Sequence, residues 1–421
     1  MLAFLSILAA ILAGVALLLG LALASVHRRH HPRFTLPKAP DVARDLPSLA
    51  GLSYGELTSG NRVRLVEDDA YLPACIELID GARATLHFET FLWRSGRMSA
   101  EIARALERAA RRGVEVRLLL DAVGSRSVDP AELARLERAG AQTCLYRPAG
   151  VRHLGWLNNR THRKVVVADG RRAIVGGHCV DDRWIGGAGA PPVRDVSVEV
   201  EGPVVRSIQS AFCENWIEAT FQVPYGPHVF PHIEPAGDVR AHLAYVRPSG
   251  GVSSIKLLHH LAIRVAARRL WIATPYFVPD DGARRALVHA VERGVDVRVL
   301  MPTFGASDNA LVARAGRHRL APLLERGLRV HQYPRALLHQ KVWTVDGEYA
   351  LIGSTNFDER SFDLDDQVTL AVADADLVRA LDERFLADLA RSTPLDAPSW
   401  RRRPAREKVG DALAYLLREQ L

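Results

Sequence analysis

No two of the four cysteines, Cys75, Cys144, Cys179 and Cys213, stand at a C-x-x-C spacing, which argues against both a zinc cluster and a disulfide framework. Isolated thiols of this kind read as small apolar side chains in a reducing compartment. Charge is missing altogether from the first 26 residues, MLAFLSILAAILAGVALLLGLALASV, a run long enough for the ~20 apolar residues of a membrane-spanning helix. The run also lacks the basic start of a secretory signal and exceeds the usual apolar core of ~7–15 residues, so it is read as an anchor despite Ala22-Leu23-Ala24. The basic segment that follows, HRRHHPR from His27, keeps to the cytoplasmic side by the positive-inside rule. The expected arrangement is a single-pass protein of the cell's inner (plasma) membrane with its remaining chain in the cytoplasm. A large excess of either charge is missing too: 55 Lys+Arg against 48 Asp+Glu leave +7, which favours an anionic partner without choosing between nucleic acid and a membrane surface.

What is present is a repetition. The 421 residues suit two domains of ~150–200 residues each. Ala84 to Trp93 (ATLHFETFLW) has strand composition, Ser99 to Arg111 helical spacing behind a serine cap, and Gly113 to Leu120 (GVEVRLLL) the look of a buried strand. The same order returns in Leu270 to Val278 (LWIATPYFV), Gly282 to Glu292 and Gly294 to Met301 (GVDVRVLM). Alternating strands and helices predict an α/β fold: two pseudo-twofold-related domains, each a mixed, mostly parallel sheet flanked by helices. The boundaries expected are an anchor at 1–26, a basic juxtamembrane linker at 27–61, domains at 62–222 and 252–395, a Pro/Gly-rich linker at 223–251, and a basic amphipathic tail at 396–421 suited to an anionic surface.

The repetition extends to chemistry. Thr161 to Asp169 reads THRKVVVAD and Leu338 to Asp346 reads LHQKVWTVD, so His-x-Lys-x4-Asp occurs twice. Each is followed by Gly at a tight hairpin and then by a pair of small residues, Gly176-Gly177 and Gly353-Ser354. Alternate strand residues share a face, so each strand offers one imidazole and one ammonium to a single point. Two such pairs in one cleft suit a phosphate diester: one histidine attacks phosphorus and the other protonates the leaving oxygen, while the lysines hold the non-bridging oxygens. One histidine cannot occupy both positions, and the lysines do what metal ions do elsewhere, so no metal or other cofactor is expected.

With these motifs the chain resembles the phospholipase D superfamily, whose signature is His-x-Lys-x4-Asp-x6-Gly-(Gly/Ser)-x-Asn in two copies, and within it the bacterial cardiolipin synthases. The likeness runs from about Arg62 to Leu389 and includes LLLDAVGS, TPYFVPD and GSTNFDERS. It implies a phosphatidyltransferase that joins two phosphatidylglycerol molecules with release of glycerol through a phosphohistidine. Anionic phospholipids and the membrane are then its partners, rather than nucleic acid. A phospholipase D hydrolysing to phosphatidic acid, a nucleic-acid phosphodiesterase and a catalytically dead membrane scaffold are the rival readings. The resemblance implies a catalytic set of His162, Lys164, Asp169, His339, Lys341 and Asp346, with His162 as nucleophile and His339 as acid. The aspartates, each before a hairpin Gly, orient the motif. Substrate contacts fall to Gly177, Ser354, Asn356 and Cys179, the last standing where the family has asparagine. Asp195 matches the carboxylate that orients a histidine; Gln367 stands where a glutamate is usual, with Asp365 and Asp366 beside it as substitutes.

Overall fold

The computed structural model describes residues 6–7, 10–15, 17, 34, 36, 41–148, 158–187, 191–245 and 253–420. Among these no helix is long and apolar enough to cross a membrane, and the expected span at 1–26 falls mostly outside them.

Among the described residues fifteen strands follow in chain order: β1 Thr58–Glu67, β2 Thr85–Thr90, β3 Glu115–Asp121, β4 Gln142–Tyr146, β5 Lys164–Ala168, β6 Arg172–Gly176, β7 Val196–Glu201, β8 Val239–Ala244, β9 Arg269–Ala273, β10 Asp296–Pro302, β11 Arg329–Tyr333, β12 Val342–Val345, β13 Tyr349–Gly353, β14 Thr369–Ala373 and β15 Thr393–Pro394. They form one sheet in the order β15-β11-β10-β9-β12-β13-β14-β8-β1-β7-β6-β5-β2-β3-β4. Apart from the short β15, this order reads the same from either end about the antiparallel β8–β1 pair, with β9 standing for β2 and β12 for β5. The pseudo-twofold inferred from the repeated text therefore passes through the middle of the sheet.

Two expectations need correction. The sheet is mixed but not mostly parallel: only β2–β3, β3–β4, β9–β10 and β10–β11 run parallel, and every other neighbouring pair is antiparallel. Each half contains a β-helix-β run, which must be parallel, but it also contains the Asp-Gly hairpin and a return strand, which cannot be. The stretch 223–251 is also more than a linker, since it supplies β8, which pairs β1 on one side and β14 on the other.

Helices cover both faces. Arg97–Arg111 begins where the Ser99 hydroxyl accepts the Gly96 N–H, and it buries Ile102, Leu106 and Ala109 against β2 and β3. Asp281–Glu292 takes the same place in the second half, capped by Asp280, whose carboxylate accepts the Ala283 N–H at 2.7 Å. Between the halves lies a third core of Val165, Val175, Val198, Val342, Ile352 and Leu370, with β13 against β6 and β7. Burial of this branched aliphatic layer, at ~25 cal/mol per Å² of apolar surface, fixes the two motifs relative to each other. The C-terminal segment contributes the helices Ala397–Arg401 and Ala405–Leu416, the latter packed on Ala310–His318.

Candidate active site

Each hairpin is set by its Asp-Gly pair. Asp169 (φ 54°) and Gly170 (φ 61°), like Asp346 (φ 54°) and Gly347 (φ 79°), occupy the left-handed region at the centre of the turn, three residues lying between the paired strand ends in each hairpin. The two aspartates then reach back along the sheet. Asp169 accepts the backbone N–H groups of Arg83, Ala84 and Thr85, at the entry to β2; Asp346 accepts those of Ala267, Arg268 and Arg269, at the entry to β9. Each lies at the far end of its strand from the motif histidine. Although both were counted with the catalytic set, their geometry is that of a brace fixing β5 beside β2 and β12 beside β9.

The other end of each strand carries the chemistry. The strands proper begin at Lys164 and Val342, so the histidines sit in the extended approach to them, and each is held by the opposite half of the molecule. His162 Nδ1 lies 3.0 Å from the Ser354 carbonyl oxygen and 3.1 Å from Gln367 Oε1. His339 Nδ1 lies 2.7 Å from Asp195 Oδ2. All three partners are acceptors, so each imidazole carries its proton on Nδ1 and presents the Nε2 lone pair. That is the tautomer a nucleophile or a general base needs.

The partners differ in charge. Asp195 is fully buried, and burial alone would raise its carboxyl. Attraction to His339 and His178 in their protonated forms, the His339 hydrogen bond and Lys341 outweigh that effect and hold it well below the usual carboxylate range. Gln367 is a neutral amide whose Oε1 also accepts the Ser354 hydroxyl at 2.7 Å. The neighbouring acids do not replace it: Asp366 accepts from Tyr146 Oη at 2.9 Å and Asp365 from Arg360 Nε at 3.2 Å. Burial, followed by Lys164 and Lys341, pushes His162 well below the ordinary imidazole value. Burial and Lys341 also lower His339, but Asp195 pulls back and leaves it at about 4. The empty site thus holds two neutral imidazoles, of which His339 alone is backed by a carboxylate.

Both lysines are buried. Lys164 Nζ donates to the His162 carbonyl at 2.7 Å, and Lys341 Nζ donates to the His339 carbonyl at 2.6 Å while standing 2.9 Å from both ring nitrogens of His339. Burial lowers each, Lys341 to about 7. A phosphodiester anion entering this site reverses the penalty by favouring the charged forms of Lys341 and His339. Binding of an anion such as inorganic phosphate is therefore expected to take up protons near pH 8, where free Lys341 is largely neutral. Affinity should weaken as pH rises above about 7. Calorimetry in buffers of different ionisation enthalpy reads both effects, and Lys341→Met should remove most of the uptake.

Small residues allow the close approach. A Cβ on Gly177 would meet Asp195 Oδ1 at 2.2 Å, so glycine is what lets the carboxylate stand against the motif. Asn356 is buried with its Oδ1 lacking a hydrogen-bond partner among the described residues, whereas Cys179, its counterpart in the first half, makes only a long 3.9 Å contact to the Gly177 carbonyl. Burial raises the Cys179 thiol, although Lys164 and Lys341 oppose this, so the group is a neutral thiol and not a second nucleophile.

Several positioning residues escaped the sequence reading. Arg163, fully buried between His162 and Lys164, points the opposite way and donates to the Ala211 and Tyr245 carbonyls and to Glu214. Gln340, its counterpart, donates to Asp388. Trp184 donates through Nε1 to Asp195 Oδ2 at 2.8 Å and stands edge-on to His339 at 5.2 Å. Glu89, whose carboxyl burial pushes up to about 7, accepts from Thr161 and Asn215 and so fixes the residue before His162.

A family model described as "Cardiolipin synthase, PLD-like domain" matches residues 75–186 and 261–389. Among curated proteins, cardiolipin synthase A of Pseudomonas fluorescens (strain Pf-5) is 33% identical over 389 residues, 90% of this chain and 78% of its own. The cardiolipin synthase of Geobacillus kaustophilus is 33% identical over 343 residues, 80% of this chain and 68% of its own. Among solved structures, phosphatidylserine synthase from Haemophilus influenzae aligns over 90% of this chain and all of its own with a TM-score of 0.67. At 13% identity, that likeness speaks to the fold.

Proposed function

Because the chain belongs to the cardiolipin synthase family of phospholipase D-like enzymes, we propose that it moves the phosphatidyl group of one phosphatidylglycerol onto a second through phosphohistidine at His162. It is a cardiolipin synthase-like phosphatidyltransferase, and the observation that carries the mechanism is the unequal backing of its two histidines.

His162, backed by a neutral amide, stays unprotonated and attacks phosphorus through Nε2. His339, backed by a carboxylate, accepts a proton more readily once the anionic substrate is in place and passes it to the departing glycerol oxygen. The bond to glycerol breaks as the bond to His162 forms. In the second half-reaction His339 Nε2 takes the proton from the incoming hydroxyl, whose oxygen displaces His162 from phosphorus. Lys164 and Lys341 hold the non-bridging oxygens in both steps. Asn356 donates its amide to the same phosphate, and Cys179 leaves the matching contact weaker.

The uncharged stretch at 1–26, followed by its arginines, supports an inner-membrane anchor with the catalytic halves on the cytoplasmic side, next to lipid substrate. The test is to incubate the purified full-length protein with phosphatidylglycerol vesicles and identify products by mass spectrometry, with His339→Ala as the blank. Cardiolipin with an equal amount of glycerol is expected. Phosphatidic acid alone would make the protein a hydrolase.

A further inference from the structure

A cavity of about 940 Å³ opens beside the His339 half of the active site. Its apolar wall includes Pro191 and Val193 from one half and Pro334, Ala336 and Leu337 from the other. These are the two segments that run directly into Asp195 and His339. They are tied together there, because the Arg194 N–H donates to the Leu337 carbonyl at 2.9 Å and the His339 N–H to the Arg194 carbonyl at 2.8 Å. The cavity therefore ends beside the pair that handles the proton, its wall reaching Val193, two residues before Asp195, and Leu337, two residues before His339.

Three guanidinium groups line it: Arg97, Arg183 and Arg335. Arg183 pairs with Asp181 at 3.2 Å and lies over the Trp184 ring, which itself touches His339. Arg97 and Arg335 are exposed and make no ion pair with any described residue. The one carboxylate in the wall, Asp182, is turned to the backbone, accepting the N–H groups of Arg97 and Met98 at 3.0 and 2.8 Å. An apolar trough rimmed by positive charge, with two of its three arginines unpaired among the described residues, complements a lipid phosphate with hydrocarbon behind it.

We infer that this cavity is the binding site of the acceptor phospholipid, with its own phosphate on Arg97, Arg183 and Arg335 and its free hydroxyl at His339. The assignment rests on the reaction proposed above and fixes where its second substrate lies. In-line displacement at phosphorus requires the leaving alcohol, and then the entering one, to stand opposite the nucleophile. With His162 attacking, that side is the His339 side, where the cavity is. His339 Nε2 removes the proton from the acceptor hydroxyl, its oxygen bonds to phosphorus, and the electron pair of the P–N bond returns to His162. An anion-binding site here also explains how a lipid acceptor competes with water present in vast excess.

The test uses full-length protein in vesicles of phosphatidylglycerol diluted with phosphatidylcholine and follows cardiolipin formed per glycerol released. Arg97→Glu/Arg335→Glu changes two exposed side chains and is expected to lower that ratio at least fivefold, with phosphatidic acid making up the difference. Arg138→Glu, an exposed charge on another helix, controls for general attraction to the vesicle and should leave the ratio unchanged. An unchanged ratio in the double variant would overturn the inference, as would a parallel fall of both products. Failure of the unmodified protein to make any phosphatidyl product would instead remove the underlying reaction.

Discussion

Replacing either His162 or His339 by alanine is expected to lower turnover with phosphatidylglycerol by three orders of magnitude or more, and replacing both should cost no more than replacing one. The reason is that the two imidazoles serve one phosphorus. His162 Nε2 makes the covalent bond, His339 supplies and retrieves the proton, and neither half-reaction proceeds without both. Their placement supports this coupling: His162 is hydrogen-bonded to Ser354 and Gln367 of the second half, and His339 to Asp195 of the first. Independent sites would give additive losses and leave substantial activity in each single variant. Steady-state rates of the three variants, with circular dichroism to verify folding, distinguish the two cases.

The second large effect concerns Asp195. Asp195→Asn preserves shape but puts an amide opposite His339 Nδ1. If the NH₂ group faces the ring, it drives the proton to Nε2, the wrong tautomer for a base. In either orientation the imidazolium loses its counter-charge. Turnover is expected to fall by about 10²–10⁴ with little change in KM, and its alkaline limb should move to lower pH because protonated His339, the required acid, is no longer favoured. The reciprocal change, Gln367→Glu, gives His162 a carboxylate. It should raise the pH at which His162 becomes a free base, so that activity on the acid side falls while activity above neutrality is retained. Opposite displacements of the two pH profiles would identify which histidine must be neutral and which protonated. Identical displacements would contradict the division of roles.

The site was legible because its signals are local. Two copies of His-x-Lys, each with Asp-Gly behind it and a small pair after it, fix residue types at short range, and the hairpins formed where that text placed them. Less visible was anything decided across the sheet. β8 hid in a proline-rich stretch because its six residues, VRAHLA, become a strand only by pairing with β1 and β14. The proportion of parallel strands was misjudged for a related reason: the repeated strand-helix-strand text is parallel, but it accounts for only part of each half. Arg163 and Trp184 carried no periodic or motif signal, since their value lies in partners 48 residues and more away for Arg163 and in a carboxylate that sequence alone does not turn toward them. The brace formed by Asp169 and Asp346 was half legible, as a turn residue whose three N–H partners lie some 80 positions upstream.

The central claim is that His162 carries the phosphatidyl group and His339 moves the proton. A phosphatidyl ester of p-nitrophenol tests it most directly, because that leaving group departs without an acid. His339→Ala should then release a burst of nitrophenolate equal to the enzyme present and stall as a covalent adduct, which base-quenched mass spectrometry would locate on His162; His162→Ala should give no burst. An adduct on another residue, or a burst that survives His162→Ala, would contradict the account.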